Sequence, residues 1–258
     1  MSRIIVIANQ KGGVGKTTTA VNLAAALALA EKRTLLVDID PQANSSSSLA
    51  VQLSREEPCI NDVLIDNLPV EGVVRATEYP YLWLLPSHIR LVGAEIELVS
   101  VTRREYVLKQ SITPLKEGYE YILIDCPPSL GLLTLNGLTA AGSVLIPMQA
   151  EYFALEGLTQ LLQTVRLVQR RLNTALRMEG IVLTMFDPRL NLAQGVRDEL
   201  RKYFPDHTFE TIIRRNVRLA EAPGFGRPVM HFSVGSSGAQ DYIALAEELL
   251  TRDGRAAA

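Results

Sequence analysis

Cysteine is almost missing from this 258-residue chain, which has only Cys59 and Cys126. Two cysteines cannot build a disulfide framework, and neither stands at a metal-ligand spacing, so a reducing, cytoplasmic setting is expected. No apolar run approaches the ~18 residues that a membrane span needs. No basic-then-apolar leader precedes the first apolar run, which starts at Arg3. Linkers rich in Pro, Ser or Gly are lacking, as are internal repeats; the serines at 45–48 are the one low-complexity stretch. A single domain over residues 1–258 is therefore expected. Charge of one sign is scarce as well. A net charge of −2 gives no whole-chain signal for a nucleic-acid partner, yet residues 160–230 carry twelve Lys/Arg against seven Asp/Glu. Locally basic surface in the C-terminal half is compatible with that balance.

What is present is 47% hydrophobic and 21% charged, an ordinary globular composition. Short apolar runs alternate with longer helical patterns. RIIVIA at 3–8 is β-branched and continuous, as a strand buried on both faces must be. Similar runs predict strands at 33–38, 81–85, 121–125, 143–147 and 180–186. Helices are predicted at 17–31, 91–101, 105–116, 132–141, 155–172, 193–203 and 239–250. Alternation of this kind implies an α/β fold, a mostly parallel twisted sheet with helices on both faces.

The segment Lys11-Gly12-Gly13-Val14-Gly15-Lys16-Thr17-Thr18 joins the first strand to the first helix. Glycines there let backbone N–H groups curl around phosphate, and the helix N-terminus adds a favourable dipole. Lys16 is placed to reach the β/γ-phosphates and the Thr17 hydroxyl to ligate Mg²⁺, as in a P-loop. The loop departs from the usual P-loop at its first glycine and carries a second lysine, Lys11, five residues before Lys16.

Two carboxylates, Asp38 and Asp40, stand at the end of the second predicted strand, where open parallel sheets bind ligands. Alternation puts both on one face, and a carboxylate there can orient water for in-line attack on phosphorus. Asp125 ends a further strand run, YILID. Cys126, beside it, is expected to be core packing.

Four ordered segments carry a family resemblance: KGGVGKTT at 11–18, VDIDPQ at 37–42, IDCPPS at 124–129 and NVRLAEAP at 216–223. Together they resemble the ParA/Soj chromosome- and plasmid-partitioning ATPases, members of the deviant Walker A P-loop superfamily, over nearly the whole chain. The resemblance implies ATP and Mg²⁺ as ligands and a homodimer formed with ATP, in which Lys11 reaches the partner's phosphates. It selects Asp40 over Asp38 as the hydrolytic residue, and makes Asp125 a Walker B aspartate that holds Mg²⁺ through water, with Asp40 also near the metal. Arg189 and Arg218 match arginines that touch the DNA backbone; Arg214 and Asn216 match a loop beside adenine. Non-specific duplex DNA and a ParB/Spo0J-type protein are the implied partners, and the nucleoid the implied location. Two positions depart from the family pattern: Ala43 replaces a common glycine, and Arg214 a common proline. With no helix-turn-helix segment before Arg3, the implied DNA binding is not sequence-specific.

Two other readings share the phosphate chemistry. A MinD-like membrane-positioning ATPase would need a basic amphipathic C-terminal helix, which TRDGRAAA at 251–258 does not supply. A metabolic ATPase or reductase subunit would need a cluster or substrate pocket; two isolated cysteines argue against the cluster.

Overall fold

A computed structural model describes residues 2–152 and 154–257. Its strands are β1 (Arg3–Ile7), β2 (Thr34–Asp38), β3 (Arg75–Ala76), β4 (Leu82–Leu85), β5 (Tyr121–Asp125), β6 (Ser143–Gln149) and β7 (Arg177–Thr184). They form one sheet in the order β3-β4-β2-β5-β1-β6-β7. Every pairing is parallel except β3 with β4. The α/β expectation holds, with β3 as an addition: two residues carry no readable period.

The strands are apolar on both faces because both faces are covered. Ile4 and Val6 enter one core with Leu35, Val37, Ile122 and Ile124, while Ile5 and Ile7 enter the other with Leu36, Leu84 and Leu123. The second core is closed by α1 (Lys16–Leu29) and the last helix. The first is closed by the helix at Ile60–Leu64, by the helices between β4 and β6, and by the helices that directly follow β6 and β7. In chain order the other helices are α2 (Asn44–Ser47), α3 (Ile60–Leu64), α4 (Leu91–Glu97), α5 (Val107–Ile112), α6 (Leu132–Ala140), α7 (Ala154–Arg171), α8 (Asn191–Tyr203), α9 (Val217–Glu221), α10 (Val229–Phe232) and α11 (Ser237–Ala257).

Three predicted helices differ in extent. The one at 91–101 is α4 followed by a 3₁₀ turn, Leu98–Ser100. The one at 105–116 is split into α5 between two 3₁₀ turns, the second with Pro114 in its first turn. Proline removes a helical donor and clashes with the preceding turn, which stops α5. The last helix runs well past residue 250. Its apolar stripe ends there, but polar anchors continue it: Tyr121 Oη donates to Asp253 at 2.6 Å, Arg3 pairs with Asp253, and Arg252 lies over the Phe209 ring. No helix among the described residues is long and apolar enough to cross a membrane.

Candidate functional site

The phosphate loop leaves β1 and enters α1 at its N-terminus. Gly13 (φ 73°) and Gly15 (φ 84°) hold left-handed backbone, which a side chain at either position would strain. Gly15 caps α1. A Cβ at Gly12 or Gly13 would meet nothing within 4 Å, so the space beside them is open to a ligand. Two side chains brace the loop from outside. Asn9 donates to the Pro147 carbonyl (2.7 Å) and accepts from the Lys11 amide (3.0 Å), and the Thr184 hydroxyl donates to the Val14 carbonyl (2.8 Å).

The two lysines of the loop behave differently. Lys16 is 6% exposed, and its ammonium donates to the Lys11 carbonyl at 3.1 Å across the loop. Burial lowers its pKa, while the charges of Asp125 and Asp40 oppose that shift. Lys11 is exposed, and its ammonium leaves the loop to pair with Glu151, just beyond β6. Nothing in the local sequence marks Glu151 as its partner.

Asp40 and Asp125 lie beside Lys16, and Asp38 lies beside Asp125; all three are at most 5% exposed. The strand reading needs a correction here. β2 ends at Asp38, so alternation does not carry to Asp40, and the two carboxylates accept from different donors. Asp38 accepts from the Asp40 amide (3.1 Å) and from the amide and hydroxyl of Ser46 (2.9 and 2.7 Å). Asp40 accepts from the Gln42 amide at 2.9 Å. Asp125 accepts from the Ser45 hydroxyl at 2.8 Å, and its second oxygen is buried without a hydrogen-bond partner. Burial raises the pKa of both Asp38 and Asp125; the Ser45 and Thr17 hydroxyls oppose the shift at Asp125. Ser45 and Ser46 of the serine run are thus part of the site rather than filler, a role that composition hides. Cys126 is fully buried, and a Cβ on Gly137 would lie 2.9 Å from its sulfur, so it packs in the core as expected. Among the described residues no cluster of His, Cys, Asp and Glu could by itself hold a metal.

A cleft of about 320 Å³ opens beside the loop, lined by Gly15, Thr18, Thr184, Met185, Asn216 and Tyr242 among others. Its far wall is residues 213–216, which run alongside the end of β7: the Phe186 amide donates to Ile213 O and the Arg215 amide to Phe186 O. Arg214 lines the cleft, but Asp241 holds its guanidinium (2.5 Å) and its backbone amide (2.9 Å). A proline at this position would have no such amide to satisfy. Asn216 caps α9 through the Arg218 amide (2.8 Å) and donates to Ser237 Oγ (2.6 Å).

The two arginines that the resemblance matches to DNA contacts lie on separate elements. Arg189, in the loop after β7, is 86% exposed and forked onto Asp187 (2.9 and 2.6 Å). Arg218, on α9, is 56% exposed and paired with Glu221 one turn on (2.7 Å). Ala43 precedes α2 with φ 51°, left-handed backbone that suits glycine better than alanine.

The family model described as "AAA domain" matches residues 2–178. The chromosome partitioning protein ParA of Myxococcus xanthus is 53% identical over 253 residues, 98% of this chain and 89% of that protein. The sporulation initiation inhibitor protein Soj of Bacillus subtilis is 54% identical over 249 residues, 96% of this chain and 98% of that protein. Among solved structures, cobyrinic acid a,c-diamide synthase of Mycobacterium smegmatis, with bound ADP and magnesium, superposes with a TM-score of 0.84 at 35% identity, covering 97% of this chain and 94% of that one. Identity to the partitioning proteins is well above that to the synthase. With the two-lysine loop, the three buried aspartates and matches over nearly its full length, the chain belongs to the ParA/Soj family of chromosome-partitioning ATPases.

Proposed function

We propose that this chain is an ATP-driven DNA-segregation ATPase. ATP with Mg²⁺ joins two copies, the pair holds duplex DNA without sequence preference, and hydrolysis, slow alone and stimulated by a ParB-type partner, releases it. One observation carries the reading: a single phosphate loop bears two lysines with different duties. Lys16 is buried and bonded within the loop, whereas the exposed Lys11 leaves it. A lysine not spent on its own cradle is available to the phosphates of a second copy.

The amides of residues 12–18 and Lys16 would hold the phosphates, with the base in the cleft against Asn216. The unpartnered oxygen of Asp125 and the Thr17 hydroxyl suit Mg²⁺, which takes few protein ligands and keeps its waters. Bound there, the ion would neutralise charge on the β/γ-oxygens. Asp40 orients the attacking water, and Arg189 and Arg218 contact DNA phosphates, giving salt-sensitive binding that reads no sequence.

A membrane role lacks support in α11. Ala239, Tyr242, Leu245 and Leu249 are buried, Tyr242 bonds Thr19 of α1, and Asp253 is held by Arg3 and Tyr121. ATPase assays and light scattering, with ATP or ADP and with or without non-specific duplex DNA and a ParB-type protein, test the proposal. Dimers with ATP alone, and faster turnover when DNA and partner are both added, are expected. A monomer in every nucleotide state, or ATP-dependent sedimentation with anionic liposomes, would overturn it.

A further inference from the structure

Both backbone hydrogen-bonding groups of Asp40 take part in one closed ring of side chains, and the carbonyl accepts from the Ala43 amide (2.9 Å) as well. The Asp40 amide donates to Asp38 Oδ1 at 3.1 Å. The other oxygen of Asp38 accepts from the Ser46 hydroxyl at 2.7 Å, and the Ser46 oxygen in turn accepts from the Ser87 amide at 3.0 Å. The Ser87 hydroxyl closes the ring by donating to the Asp40 carbonyl at 2.7 Å. All four residues are at most 5% exposed, so water does not compete for these bonds. The ring joins three separate pieces of chain: the end of β2, the helix α2, and the loop between β4 and α4.

We infer that Ser87, with Ser46, is a positioning residue for ATP hydrolysis, fixing the peptide from which the Asp40 carboxylate projects. The inference rests on the reading of Asp40 as the hydrolytic residue. The carboxylate itself has a single amide donor, from Gln42, so most of its placement must come from its backbone. In-line attack tolerates little displacement: a misplacement of about 1 Å costs up to roughly 100-fold in rate. Phosphate affinity arises elsewhere, in the loop amides and Lys16, and should not depend on Ser87. Nothing in the sequence around Ser87 signals this role; the loop in which it lies is brought to Asp40 by the pairing of β4 with β2.

Ser87→Ala keeps its amide bond to Ser46 and loses only the hydroxyl. Single-turnover hydrolysis of radiolabelled ATP at saturating Mg²⁺ should slow roughly 10- to 100-fold. Affinity for a non-hydrolysable ATP analogue should stay within about twofold. Ser46→Ala should show the same split, and it carries the test if Ser87→Ala does not fold. In an Asp40→Ala background either serine change should have no further effect on the residual rate, the non-additivity expected of groups acting through one another. Parent-rate turnover in the folded serine variants, or a loss of analogue affinity matching the loss of rate, would overturn the inference. If Asp40→Ala itself hydrolysed at the parent rate, the reading of Asp40 would fall instead.

Discussion

The ammonium of Lys11 is paired with the carboxylate of Glu151, 140 residues further along the chain, while its own backbone carbonyl accepts from Lys16. One residue thus takes part in both halves of the phosphate loop's wiring, and the pair with Glu151 must open before Lys11 can serve another copy. Both partners are nearly half exposed, so opening costs on the order of 1 kcal/mol or less. Lys11→Ala should bind ATP normally and remain monomeric by light scattering. A dimer as stable as the parent's would remove Lys11 from the interface.

Asp40→Ala should retain ATP binding and ATP-dependent dimerisation, because neither draws on the carboxylate. Turnover should fall by roughly 10²- to 10⁴-fold, the usual worth of a positioned acid–base group. Size-exclusion chromatography after an hour with ATP should show a persistent dimer. Dissociation at the parent's pace would point to another residue.

The double variant Arg189→Ala/Arg218→Ala should lose DNA affinity about equally on unrelated sequences while still dimerising with ATP. The slope of log affinity against log salt should flatten by about one for each DNA phosphate that is no longer neutralised. Gel shifts at several salt concentrations measure it. Undiminished binding would shift attention to Arg215 and Lys202.

Ala43→Gly should stabilise the chain. Left-handed backbone costs an L-residue about 1–2 kcal/mol, partly offset by the greater freedom of glycine in the unfolded chain. A net gain of about 0.5–1 kcal/mol in urea denaturation is expected. A loss would mean that the alanine side chain makes a favourable contact which outweighs the strain.

Stability of the nucleotide-free protein should fall as pH rises from 7 to 8.5. Burial and the neighbouring Asp125 charge push Asp38 up to about 8, from 3.8. The folded state therefore holds a proton that the unfolded state has already lost. Its stabilisation is complete below the unfolded value and gone above the folded one. Urea midpoints across this range, with Asp38→Asn as the control that should flatten the slope, provide the check. A flat parent profile would mean that Asp38 is ionised throughout.

Much of this protein was legible along the chain because the signals are local. The positive φ at Gly13 and Gly15, the apolar runs of β1, β2 and β5, and the entry of the loop into α1 depend on residues within a few positions of one another. Backbone sterics and periodicity therefore determine them before any tertiary contact forms. Tertiary structure decided what those residues do for one another. Glu151 reaches Lys11, Ser87 reaches Asp40, Asp241 takes both the amide and the guanidinium of Arg214, and Tyr121 anchors α11 beyond its apolar stripe. These pairings span between 27 and 140 residues. Hydrogen bonds at such separations leave no period in the sequence; they exist because the order β4-β2-β5-β1-β6-β7, and the helices packed on it, bring distant segments of the chain side by side.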